Sequence, residues 1–171
     1  RCAIVEAGFK WPLKNVVINM SPADIKKEGS AYDLPIALGI LASDEKVAGD
    51  RLSRYMVMGE LGLDGALRPI KGALPMAILA RELQLDGFIL PRDNAREAAI
   101  VNNLKVFGAD HLTQVINFFN EGTGLEETIV DTRAEFAKAQ GDYAFDFSEV
   151  KGQENVKRAF EVACAGGHNI L

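Results

Sequence analysis

Several residues in this chain could do chemistry, and type and spacing sort them. Gly59, Gly62 and Gly65 form a G-x-x-G-x-x-G run. A phosphate-binding glycine loop must lead into a helix, so that backbone N–H groups converge on the anion. A strand-like segment follows instead, so these glycines read as turn and bulge positions. Lys26 and Lys27 could touch an anion or a phosphate backbone, although adjacent loop lysines are ordinarily just solvated. His111 stands near a helix start and His168 ahead of a strand-like stretch. Neither has a second histidine at ligand spacing, which argues against a metal site. Cys2 and Cys164 are too far apart for a metal or redox motif. Cys164 falls on the apolar face of a helical pattern and is expected to be core. Val150, Lys151, Gly152 and Gln153 read as a turn that opens a helix. No Gly-x-x-x-x-Gly-Lys-Ser/Thr run occurs, since Gly166-Gly167 is followed by His168 and Asn169.

The elements that would position these residues alternate between strand-like and helix-like. Residues 15–20 (NVVINM) are β-branched and short, predicting a strand. Residues 33–42 (DLPIALGILA) predict a buried helix, with Asp33 able to cap it and Pro35 suited to a first turn. Residues 55–61 (YMVMGEL) predict a strand, Asp64-Gly65 a hairpin turn, and 66–70 the returning strand. Residues 71–83 predict a helix with an apolar surface of Ala73, Leu74, Ala77, Ile78 and Ala80. Its Pro75 is tolerable only near the first turn. Residues 87–90 predict a strand ended by Pro91, 94–101 a helix, 105–108 a strand and 111–119 a helix. Residues 153–165 carry Val156, Ala159, Phe160, Ala163 and Cys164 at helical spacing. The alternation with one hairpin predicts a layered α/β or α+β domain with a mixed sheet.

Composition sets the outer bounds. The 171 residues are 48% apolar and 25% charged, the profile of a globular protein. A domain of this size buries roughly 70% of the surface its unfolded chain exposes, so it needs no disulfide staples. The sparse cysteines favour a cytosolic reading, no apolar run approaches the ~18 residues of a membrane span, and no signal peptide is evident. Residues 1–120 carry 14 acidic and 14 basic side chains, whereas 121–149 carry 8 acidic and 2 basic. The balanced body offers no broad basic face for nucleic acid. The acidic stretch reads as a connector with a short helix near 132–140, followed by an apolar anchor at Phe145 and Phe147. Arg1 falls inside a helix-like segment and Leu171 inside an apolar run, so the chain is expected to be a piece of a longer protein.

Three segments carry a resemblance: 21–39 (SPADIKKEGSAYDLPIALG), 58–74 (MGELGLDGALRPIKGAL) and 87–91 (GFILP). In this order and spacing they resemble the N-terminal domain of the magnesium-chelatase-like AAA+ ATPases of the ComM/YifB competence-protein family. That domain is similar to the Lon proteolytic domain and to ribosomal protein S5 domain 2, which implies an α/β (α+β) fold with a mixed sheet and packed helices. From Phe147 onward the chain resembles the opening of the family's ATPase module. The resemblance divides the chain into a Lon-like domain (1–120), an acidic linker (121–146) and the ATPase start (147–171), truncated before the phosphate-binding loop.

The resemblance also implies chemistry. Lon-type peptidases pair a serine nucleophile with a desolvated lysine. Matching the motifs puts Ala31 where the serine would stand and Leu74 where the lysine would stand, so the dyad is degenerate. A shifted pair of Ser30 with Lys71 is the alternative, although a one-residue slip at a helix start turns a side chain by about 100°. Val150, Lys151, Gly152 and Gln153 correspond to residues lining the adenine side of the nucleotide site. The chain itself is expected to hold no cofactor. The parent is expected to use ATP and Mg2+, to form a homo-hexamer, and to act on DNA with recombination proteins as a branch-migration motor, in the cytoplasm and away from membranes. A metal-chelatase subunit and a Ser/Lys peptidase are the rival readings.

Overall fold

The computed structural model describes residues 1–13, 15–20, 29–131 and 149–167. In chain order the elements are α1 (Cys2–Glu6), α2 (Asp33–Ser43), α3 (Gly49–Leu52), β1 (Tyr55–Val57), β2 (Glu60–Leu61), β3 (Leu67–Arg68), α4 (Ala73–Glu82), β4 (Gly87–Pro91), α5 (Arg92–Ala98), β5 (Val106–Ala109), α6 (Leu112–Glu121) and α7 (Glu154–Gly166). The chain divides into two compact units, Arg1–Val130 and Asp131–Leu171.

The first unit is built on a three-stranded parallel sheet in the order β1-β4-β5. Central strand β4 is buried along its whole length, which is why its sequence is a near-continuous apolar run rather than an alternation. Successive side chains point to opposite faces. Ile89 and Phe107 join one cluster with Ile4, Leu34, Leu38, Leu112 and Phe119, from α1, α2 and α6. Phe88, Leu90 and Val106 join another with Ala73, Ala77, Ala80, Ala95 and Ala98, from α4 and α5. The unit is thus a mixed α/β sandwich, helices on both faces of the sheet. Gly108 lets α5 approach β5, since a Cβ there would lie 2.9 Å from the Ala95 methyl and 3.1 Å from Arg92 Cα.

Several expectations change. Residues 15–20 form no strand, because no ladder partner meets them among the described residues. Val17 and Ile18 are 89% and 51% exposed. The run 55–61 is broken at Met58-Gly59: Tyr55–Val57 joins the parallel sheet while Glu60–Leu61 pairs antiparallel with Leu67–Arg68 in a separate hairpin. The return strand is correspondingly shorter than 66–70. Tyr32, not Asp33, occupies the cap position of α2. The Asp33 carboxylate instead accepts from Leu61 N at 3.4 Å. Helix α4 begins at Ala73, which places Pro75 in the first turn, where its missing N–H costs nothing. Its Ile78 faces solvent, so alanines alone make the fully buried stripe. Residues 122–130 stay with the first unit: Leu125 packs on the larger cluster and Thr128 N donates to Val106 O at 2.7 Å.

In the second unit α7 follows Gln153. Cys164 is exposed rather than core, because the buried position of that turn is Ala163. The expected helix near 132–140, the anchor at Phe145 and Phe147, Lys26-Lys27 and His168 lie outside the described residues. Among the described residues, no helix is long and apolar enough to cross a membrane.

Candidate functional site

The break between β1 and β2 assembles the site. Gly59 N donates to Ala31 O at 2.8 Å and Leu34 N donates to Gly59 O at 3.0 Å, tying the break to the entry of α2. Glu60, the first residue past the break, is thereby brought to Ser30, whose hydroxyl donates to Glu60 Oε2. The opposite wall comes from the exit of β3. There Asn94, buried on α5, receives Ile70 N at 2.8 Å and donates to Ile70 O at 2.9 Å. That pair fixes the Pro69-Ile70-Lys71 stretch. Between the walls lies a cleft of about 570 Å³, lined among others by Ser30, Ala31, Met58, Glu60, Lys71 and Met76.

The cleft therefore carries a hydroxyl, a carboxylate and an amine. The hydroxyl hydrogen is committed to Glu60, and no hydrogen bond joins Ser30 to Lys71 among the described residues. Lys71 is exposed, whereas a lysine base requires a dry pocket. Ala31 lines the cleft with a methyl group. Leu74 packs half-buried against the alanine-rich cluster, and its backbone N–H donates to Glu97 Oε1 at 3.1 Å. Glu60 escaped the sequence reading because 30 residues separate it from Ser30, and only the unforeseen strand break joins them.

The glycine run serves the hairpin beside this cleft. Gly65 has φ +87°, and a Cβ on it would stand 2.9 Å from the His111 ring. His111 itself caps α6. Its Nδ1 accepts from Thr113 N at 3.2 Å, and the Gln114 side chain accepts from His111 N at 3.2 Å. With Nδ1 an acceptor, the ring proton lies on Nε2, which donates to Asp64 O at 3.0 Å. His111 is thus a clamp between hairpin and helix. Among the described residues, no cluster of three or more His, Cys, Asp or Glu side chains could hold a metal ion.

In the second unit, Gly152 and Gln153 are consecutive left-handed residues, at φ +70° and +60°. Val150, Lys151, Gly152 and Gln153 are all exposed. The 171 residues contain no Gly-x-x-x-x-Gly-Lys-Ser/Thr run.

Comparison with known proteins agrees with the segments singled out in sequence. The family model described as subunit ChlI of Mg-chelatase matches residues 1–94, more than half of the chain. A second, described as magnesium chelatase, subunit ChlI, matches residues 146–171. Competence protein ComM of Haemophilus influenzae is 36% identical over all 171 residues. The proteins called YifB in Escherichia coli and Salmonella typhimurium are 40% and 38% identical over the same span. The chain covers 33% of the length of each of these relatives. Matched along its whole length to such proteins, the chain belongs to the ComM/YifB family of magnesium-chelatase-like proteins.

Proposed function

We propose that these residues are a non-catalytic Lon-like accessory domain joined to the opening of an AAA+ ATPase module, within an ATP-driven DNA motor of the ComM type. The observation that carries this reading is the match to competence protein ComM across both compact units, not across one alone. The parent protein would work in the cytoplasm as a homo-hexameric ring using ATP and Mg2+, on DNA and with recombination proteins, to promote branch migration during uptake of transforming DNA. The exposed turn at Val150, Lys151, Gly152 and Gln153 would form the adenine side of its nucleotide site. The Lon-like domain would organise the ring or contact DNA or a partner. The test is branch migration of a synthetic DNA junction by the full-length protein. Movement that requires ATP supports the reading; ATP hydrolysis without junction movement overturns it.

Two other readings have an observation behind them. The family descriptions name magnesium chelatase, which favours a metal-chelatase motor. Insertion of Mg2+ into a porphyrin by the same preparation, with no effect on junctions, would establish it. The placement of Ser30 and Lys71 in one cleft favours a Ser/Lys peptidase. The exposure of Lys71 and the commitment of the Ser30 hydroxyl to Glu60 weigh against that chemistry.

A further inference from the structure

Residues 125–130 run along the outer edge of β5 and hold it lightly. Phe107 and Glu127 are bridged antiparallel, and Thr128 N donates to Val106 O at 2.7 Å. Among the described residues, that is the one backbone hydrogen bond between this segment and the sheet. On its other side β5 pairs with β4 over four residues. From Glu127 to Val130 exposure alternates as in a pleated strand: Thr128 and Val130 are half-buried, whereas Glu127 is exposed and Ile129 is 85% exposed. The apolar anchor is Leu125, half-buried against the larger cluster. A cavity of about 320 Å³, lined by Arg92, Gly124, Leu125 and Glu126, leaves part of the segment unseated. Upstream, Gly122 and Gly124 stand at φ +75° and +93°, and glycines supply the backbone freedom that a pivot needs. Downstream, the first compact unit ends at Val130.

We propose that residues 125–130 are a detachable strap. At rest they close the outer edge of β5. Pivoting at Gly122 and Gly124, they lift from it in one piece while the parallel sheet stays folded. One rung and one anchor place the strap at the low-stability end of the fold, whereas the amides of β4 open only with the whole unit. Lifting has two effects. It adds six residues of extended chain, about 20 Å, to the connection between the first unit and whatever follows Val130. It also bares the N–H and C=O groups on the outer edge of β5, which the closed strap keeps from pairing with other chains. The inference follows from the geometry of the first unit and does not depend on the motor reading.

Hydrogen exchange read by NMR on the 171-residue chain tests it. The Thr128 amide should exchange at least about 10-fold more slowly than in an unstructured peptide, yet at least about 100-fold faster than the Phe88 amide. The latter donates to Lys105 O at 2.8 Å inside the sheet. Low denaturant should leave the Thr128 rate unchanged, because lifting exposes little surface, while it speeds exchange at Phe88. Leu125→Asp should bring Thr128 to the unstructured rate with little change at Phe88, and Leu125→Ala should go part of the way. Exchange of Thr128 at the unstructured rate in the unaltered chain overturns the proposal, because the strap is then not seated. So does exchange less than about 100-fold faster than at Phe88, because the segment then opens only with the core. Protection of Thr128 that survives Leu125→Asp also overturns it, as does loss of protection at Phe88 in step with Thr128 in both Leu125 variants.

Discussion

Ser30, Ala31 and Glu60 set what the cleft does at the scale of single residues. A serine whose proton is held by a carboxylate, with an amine left in solvent, lacks the relay an acyl-transfer nucleophile needs. The 171-residue chain should therefore leave casein and a fluorogenic peptide intact, and Ser30→Ala should change nothing. Cleavage that depends on Ser30 would contradict this. His111 makes a different residue-scale prediction. Removing its ring deletes the α6 cap and the bond to Asp64 O, so His111→Ala should lower stability by about 1–2 kcal/mol. A denaturant melt measures that loss. His111→Asn should recover part of it, because its side chain can still accept from the start of the helix. Asn94 is buried and satisfies both backbone groups of Ile70. Asn94→Leu leaves them without partners and should cost about 1–3 kcal/mol, read in the same melt. The segments on either side of the cleft were legible in sequence, but the Ser30–Glu60 contact was not. It depends on a strand break inside the run YMVMGEL, where a single glycine, Gly59, is the only sign of the interruption.

The elements differ in how openly the sequence announced them. Strand β4 was legible because a strand buried on both faces must be apolar throughout, and Gly87–Pro91 is so without interruption. Helix α4 was legible from its alanine spacing, and Pro75 fell where a helix tolerates it. Helix α3 was invisible because Gly49–Leu52 is a single turn, too short to show a period. Residues 15–20 had the composition of a strand, but a strand exists only by pairing, and composition does not encode the partner. Helix α6 also carries a prediction. Phe119 is buried, edge-on to Tyr55 at 5.7 Å and to Phe118 at 5.5 Å between ring centroids. Phe119→Ala should cost about 3–5 kcal/mol, because the two rings packed edge-on against it cannot collapse into the void. Phe118 carries Arg51 at 5.4 Å over its ring and lies nearer the surface of the cluster, so Phe118→Ala should cost less. A pair of denaturant melts compares them.

Across the whole molecule, both apolar clusters belong to Arg1–Val130. A chain ended at Val130 should accordingly show the same melting transition by calorimetry as the 171-residue chain, since the cooperative core is retained. A large fall in melting temperature would mean that the second unit contributes to that core.

The two faces of the sheet are furnished differently, and that has a mechanical consequence. On the side of α4 and α5, the buried apolar positions of the two helices are all alanine: Ala73, Ala77, Ala80, Ala95 and Ala98. A methyl group on Cβ has no rotamers to exchange. Helices seated on such residues cannot accommodate a push by re-sorting side chains; they must move as rigid rods or stay put. The opposite layer, furnished with leucine, isoleucine and phenylalanine, can absorb strain by torsional rearrangement. Under hydrostatic pressure, methyl signals from that yielding layer should broaden first, while the alanine layer transmits load almost undamped.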